Sequence, residues 1–184
     1  MTLQLLFAAL VVVASAADLA ENAQQKIDVI QSQGAAPGSV ITFTVAECNA
    51  WAHARLPELV PSGIRNEILE FGADTVTGAA LVNFLAIREG MGLKTGALLA
   101  RMLEGERPLK AMVRVVSANG QATIYLTRLE VGGAVMSGTM LNILIDDVLR
   151  TVYPNAKVNQ PIQLDYGIER IEVRSTGIRV AIKR

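Results

Sequence analysis

Leu109-Lys110-Ala111-Met112-Val113-Arg114-Val115-Val116-Ser117, then Asn119-Gly120, then Gln121-Ala122-Thr123-Ile124-Tyr125-Leu126-Thr127-Arg128-Leu129-Glu130-Val131 is the stretch on which the fold turns. Both arms are rich in β-branched residues. Asn-Gly between them is the strongest short hairpin signal, because both turn positions must tolerate positive φ. The reading is two adjacent antiparallel strands.

Toward the C-terminus, Gly132-Gly133 interrupts the strand pattern. Leu141, Leu144, Ile145, Val148, Leu149 and Val152 then recur at the three-four spacing of one helix face, with Asn142, Asp146 and Arg150 opposite, until Pro154. Ile162–Tyr166 and Ile168–Arg174 read as strands, followed by a turn at Ser175-Thr176-Gly177. In the terminal strand Ile178, Val180 and Ile182 alternate with Arg179, Ala181 and Lys183, which predicts one buried and one wet face.

Toward the N-terminus, Asp74–Ile87 and Gly63–Phe71 read as antiparallel strands joined near Gly72. A short helix is expected from Ala97, Leu98, Leu99, Met102 and Leu103, ending at Gly105. Val40–Val45 reads as a strand running into a helix over Ala46–Leu56, stopped near Pro57. Thr44 stands three before Glu47, the spacing of a capping box in which hydroxyl and carboxylate each bond the other's free amide. These elements, with connections too short for repeated parallel crossovers, make an α+β fold on a largely antiparallel sheet.

Leu3–Val13 is almost wholly apolar, and Ala14-Ser15-Ala16 follows as a small-x-small pattern before Ala17. Residues 1–16 therefore read as a removable signal peptide, 17–39 as a polar N-terminal leader and 40–184 as a single domain. The protein is expected to be exported to a periplasmic or extracytoplasmic space. The apolar run is shorter than the ~20 residues a spanning helix needs. Its flank before Leu3 holds no Lys or Arg, so an uncleaved N-terminal membrane anchor is the alternative.

Seventeen basic and seventeen acidic residues give zero net charge, with no stripe of either sign, so nucleic acid is not an expected partner. Cys48 is the only cysteine, which excludes an internal disulfide. Cys48 and His53 invite a thiol-imidazole pair, but five residues on a helix set them about 140° apart, so Cys48 is read as core and His53 as solvated. With a single histidine, a zinc site would need mostly carboxylates. Asp146-Asp147 and Glu67 with Glu70 read as solvated acids, and Gly90-Met91-Gly92 lacks the rest of a phosphate loop. No Gly-x-Ser-x-Gly elbow occurs. No catalytic residue, metal or cofactor is expected. The residues are 51% apolar but only 4% aromatic, an aliphatic bias that suits acyl chains as well as an ordinary core.

Thr42-Phe43-Thr44-Val45-Ala46-Glu47-Cys48-Asn49, Leu81-Val82-Asn83-Phe84, the run Val131–Ser137 with Gly138, Leu141 and Leu144-Ile145, and the closing Gly167–Val173 and Thr176–Val180 form a pattern over most of residues 40–184. In this pattern the chain resembles the LmeA-like family of exported phospholipid-binding proteins, within the tubular lipid-binding superfamily. The resemblance implies a highly curved antiparallel sheet wrapped around a long amphipathic helix, here Gly138–Val152, and an apolar groove for acyl chains. Carried onto this chain, the groove takes Leu81, Phe84, Leu99, Val135 and Met136. The helix stripe Leu141, Leu144, Ile145 and Val148 completes it. The implied ligand is a phospholipid or other acyl-chain lipid, met at a membrane surface transiently.

On the residues alone, ordinary core is the favoured reading of that helix stripe, and only the resemblance sets a groove on a par with it. The second expectation is therefore a non-enzymatic cell-envelope scaffold or assembly protein, its groove filled and its partner another envelope protein. An envelope enzyme depending on Asp147 or His53 is a third.

Overall fold

The computed structural model describes residues 15–59, 63–90, 92, 94, 96–97, 104–138, 141 and 158–184. The Asn119-Gly120 hairpin forms as its turn chemistry requires. Asn119 (φ 53°) and Gly120 (φ 73°) are both left-handed, which sets Ala118 opposite Gln121. The arms are β4 (Arg107–Ala118) and β5 (Gln121–Val131).

Upstream, β2 (Ile64–Phe71) and β3 (Thr75–Val82) pair antiparallel around the turn after Gly72, and β3 pairs β4. The poor alternation of β2 has a local cause: the register shifts between Arg65 and Ile68, where Asn66 is left-handed (φ 54°). β3 stops at Val82 and does not run on to Ile87. Asn83 Oδ1 accepts from Ala86 N at 3.0 Å, and α3 (Phe84–Gly90) begins there. An amide at an N-cap position ends the strand that the aliphatic run alone would continue.

Two short strands complete this sheet on the free edge of β5: β6 (Ala134–Val135) at one end and β7 (Pro161–Gln163) at the other. Its spatial order is β2-β3-β4-β5 and then β6, with β7 also on β5. Val82, Phe84 and Ile87 are buried against Ile64, Leu109 and Val131 at the α3 end.

The second sheet has the order β1-β9-β8, built from β1 (Val40–Thr44), β8 (Ile168–Arg174) and β9 (Gly177–Ile182), all antiparallel. The expected alternation holds: Val180 is buried, and Ile178 and Ile182 pack with it against one core. The outer edge of β8 is tied to the first sheet. Gly120 N donates to Glu169 O (2.7 Å), Asp74 N to Val173 O (3.1 Å) and Ile171 N to Ser117 Oγ (2.9 Å).

Residues 17–39, polar enough to read as a leader, contribute α1 (Ala16–Gln31). Its cap is Ser15, whose hydroxyl accepts from Asp18 N (3.1 Å) while the Asp18 carboxylate accepts from Ser15 N (3.0 Å). Ala23, Ile27 and Ile30, four and three apart, form a narrow apolar face that packs onto Phe43 and Val180.

The Thr44–Glu47 capping box is formed in full, with Glu47 N to Thr44 Oγ1 at 3.2 Å and Thr44 N to Glu47 Oε2 at 2.8 Å. It opens α2 (Val45–Leu59). α2 runs two residues beyond Pro57, and Arg55 Nη1 donates to both Glu58 oxygens (2.9 Å each) across the last turn. Glu47 also accepts from Lys26 Nζ of α1 (2.6 Å), which donates in addition to Thr42 O (2.8 Å).

The architecture is thus α+β with mostly antiparallel sheets. The expected signal segment, apart from Ser15 and Ala16, lies outside the described residues. So do most of the expected helix over 97–103 and the helix over 138–152 apart from Gly138 and Leu141.

Candidate functional site

Where α1 and α2 cross the face of β1, β9 and β8, they do not close down on it. An open groove of about 490 Å³ runs between the helices and this sheet, with β2 and β3 as the third wall. α1 contributes Ala23, Ile27 and Ile30, and α2 contributes Cys48, Trp51 and Ala52. The sheet floor is Phe43, Ile168, Ile171, Ile178 and Val180. Leu69, Phe71 and Val76 line the β2–β3 side, and Gln31 and Tyr166 complete the wall. A volume of this size lies within the range of small-molecule sites, ~300–1,000 Å³.

The local sequence explains why these side chains converge. Ile168 and Ile171 do not alternate strictly, but the register shift between Ile168 and Arg170 turns both to the same face. The capping box fixes where α2 starts, and so places Cys48, Trp51 and Ala52, three and one residues apart, along the groove. Trp51 keeps its polar edge out of the cavity, its Nε1 donating to Gln24 Oε1 of α1 at 2.9 Å. Asn49 serves the third wall. Its Nδ2 donates to Leu69 O (2.9 Å) and its Oδ1 accepts from Leu69 N (2.7 Å), so one side-chain amide partners the edge strand β2.

Electrostatically the groove is quiet. Burial pushes the Cys48 thiol up, as does the Glu47 carboxylate beside it, to about 11, so this sulfur is a protonated apolar contact and no nucleophile. Burial also pushes the Glu47 carboxyl up, but the bonds from Lys26 and Thr44 outweigh it, and the net shift is downward. The Glu47 carboxyl is therefore charged at neutral pH, and its partner Lys26 holds Nζ 5.6 Å from the centroid of the Phe43 ring, a groove-lining residue. His53 is turned away from Cys48 to the exterior, where Nδ1 meets Glu67 Oε1. Among the described residues, no group of three or more His, Cys, Asp or Glu is placed to hold a metal ion. None of their helices is long and apolar enough to cross a membrane.

Of the residues assigned to a groove by resemblance, the described ones, Leu81, Phe84, Val135, Met136 and Leu141, are not among those lining this groove. Leu81 lines a smaller hollow of about 330 Å³ over β3 and β4, with Leu109, Lys110 and Glu130. Phe84 is 4% exposed in the α3 core, whereas Val135 is 53% exposed on β6. Met136 and Leu141 are half-buried, and Met136 N donates to Leu129 O at 2.8 Å. Leu99, Leu144, Ile145 and Val148, with Asp146-Asp147, lie outside the described residues.

Two features of the sequence mark the groove only once the fold is known. Ala23, Ile27 and Ile30 share a helical face within a segment whose polarity masks them. The chain has only eight aromatic residues (four Phe, three Tyr, one Trp), and four of them, Phe43, Trp51, Phe71 and Tyr166, line this one cavity. Comparisons with protein families, curated proteins and solved structures find no match for this chain.

Proposed function

We propose that this is an exported lipid-binding or lipid-shuttling protein that holds an acyl chain in an apolar groove and performs no catalysis. The observation that carries the reading is the groove of about 490 Å³ between α1, α2 and the β1-β9-β8 sheet, walled mostly by aliphatic and aromatic residues. Each methylene moved from water into such a wall contributes ~0.8 kcal/mol, so affinity needs no charged anchor and no reactive group. The resemblance to the LmeA-like family belongs to the same proposal. So does its finer form of the fold, a curved sheet wrapped around a long amphipathic helix. The site proposed here is framed by α1 and α2.

The small-x-small pattern before Ala17 supports export. Cleavage after Ala16 would remove Ser15, the cap of α1, and leave the helix to start at the new amine. An uncleaved chain would keep that cap and tether the domain at a membrane surface. Intact mass of the protein recovered from its producing cell separates the two.

The function is tested by solvent extraction of the natively purified protein followed by mass spectrometry, together with uptake of a fluorescent phospholipid. A stoichiometric acyl lipid is the expected result. An empty protein that takes up no lipid would instead favour an envelope scaffold with a protein partner.

A further inference from the structure

We infer that the outer face of the β1-β9-β8 sheet docks on an anionic lipid bilayer through Arg170, Arg174 and Arg179. This surface is the reverse side of the sheet that floors the groove, and its docking holds whatever the groove contains.

The strand register puts the three arginines on one face. Thr42, Arg179 and Glu172 form one row across the sheet. Two residues along to either side, Arg170 stands opposite Ala181 and Arg174 opposite Gly177. The rows between hold Ile171, Ile178 and Val180, which line the groove. Successive residues of a strand point to opposite faces, so the arginines share the side away from it. In the sequence they are four and five residues apart, with Glu169 and Glu172 nearby, and no basic run is visible. Only the pairing of β8 with β9 gathers them.

The gathered charge is cationic. The side chains of Arg170, Arg174 and Arg179 are 52%, 51% and 36% exposed. All three converge on one carboxylate. Arg170 Nε donates to Glu172 Oε1 (2.7 Å), Arg174 Nη2 donates to Oε2 (2.6 Å), and Arg179 Nη1 lies 3.5 Å from Oε2. The bonds from Arg170 and Arg174 hold the Glu172 carboxyl below the ordinary carboxylate range, so it is ionised at neutral pH. Glu169, the other acid of β8, takes part in none of these pairs. Three guanidinium groups against one carboxylate leave two positive charges in excess, on a chain whose net charge is zero. Each guanidinium carries five N–H donors, so the contacts to Glu172 orient the arginines and leave donors for phosphate oxygens.

The rest of the face points to a bilayer. Thr42, Ala181 and Gly177 are small, and among the described residues of this face Val40, at its edge, is the one large apolar side chain. Protein interfaces draw their energy from a few buried aromatic, arginine or large apolar anchors seated in pockets, and this face has neither a pocket nor an aromatic. An anionic lipid surface needs only positive charge held within a Debye length of it.

The test is co-sedimentation of the full chain with vesicles of equal parts phosphatidylglycerol and phosphatidylcholine, against vesicles of phosphatidylcholine alone. Each basic residue at such a surface is worth about fivefold in binding, so the two charges in excess predict a preference of about thirtyfold for the anionic vesicles. The preference should shrink as ionic strength rises from about 10 mM to 0.15 M. Arg170→Gln, Arg174→Gln and Arg179→Gln should each lose about fivefold, and the three arginine-to-lysine replacements together should keep most of the preference. Glu172→Gln separates docking from a purely structural network. Removing that carboxylate should tighten binding to the anionic vesicles about fivefold, although it removes three ion pairs. Melting curves of every variant show that the fold is retained.

Equal binding to the two vesicle types overturns the inference. So does an unchanged or weakened preference in Glu172→Gln, or a preference that survives the three glutamine replacements made together. Binding of soluble poly-glutamate as tight as binding of the anionic vesicles also overturns it, in favour of an acidic protein partner.

Discussion

Replacing Glu47 by Gln tests how the groove is framed. The carboxylate is 6% exposed and serves three elements at once: it caps α2, accepts from the backbone of β1 at Thr44, and holds Lys26 of α1. Glutamine keeps the shape and one acceptor but loses the charge. A hydrogen bond to a charged group contributes about 1.5–3 kcal/mol. The Lys26 side chain is 34% exposed, so water screens the pair and the lower end applies. The expected loss is about 1–2 kcal/mol for Glu47→Gln and about 3 kcal/mol for Glu47→Ala, which also leaves the Thr44 amide without its acceptor.

The pH dependence has a definite sign. Burial raises the Glu47 carboxyl and the Lys26 and Thr44 bonds lower it further, so its folded value lies below the unfolded one. Its contribution is therefore complete above the unfolded pKa, ~4.3, and disappears as the pH falls through the folded value. Urea unfolding followed by Trp51 fluorescence, at pH 7 and in steps down to pH 3, should show the gap between wild type and Glu47→Gln closing in acid. A double-mutant cycle with Lys26→Met should give a coupling of about 1 kcal/mol. A gap smaller than about 0.5 kcal/mol at pH 7, the range of an ordinary surface change, or one that persists unchanged at pH 3, would refute the reasoning.

Asn49→Ala should cost about 2–3 kcal/mol in urea unfolding, because both backbone groups of Leu69 on the edge strand lose their partner. Gly177→Ala should cost about 3 kcal/mol or more, read as a lost or much-lowered melting transition. At φ 127° an added Cβ would meet the Phe43 carbonyl, with Phe43 C and Thr44 C both 3.0 Å away. Cys48 should react with a thiol reagent at pH 8 roughly two orders of magnitude more slowly than a free cysteine of pKa ~8.5, and faster as the pH approaches 11. A groove ligand should slow it further, and a rate equal to that of free cysteine would refute the buried, protonated thiol.

What local chemistry dictates was legible in the sequence: the Asn119-Gly120 hairpin, the Thr44–Glu47 cap, the alternation of β9 and the antiparallel α+β class. The first three rest on residues one to three apart, whose local geometry is decided by backbone sterics and short-range bonding, and the class follows from the order of such elements along the chain. The groove was not legible in this way. Its walls come from α1, α2, β1, β2, β3, β8 and β9, separated by up to most of the chain, and a carbonyl-to-amide stitch between sheets leaves no pattern of its own. α1 shows the limit best. Its three apolar residues are too few to stand out in a polar segment, and they become a wall only because Phe43 and Val180 provide a face to bury them against. In the same way Tyr166 reads as the end of a strand, whereas the folded chain makes it a left-handed turn residue that lines the groove. Periodicity states which face of an element is apolar, whereas whether two such faces meet or stand apart around a ligand depends on the geometry of the whole assembly.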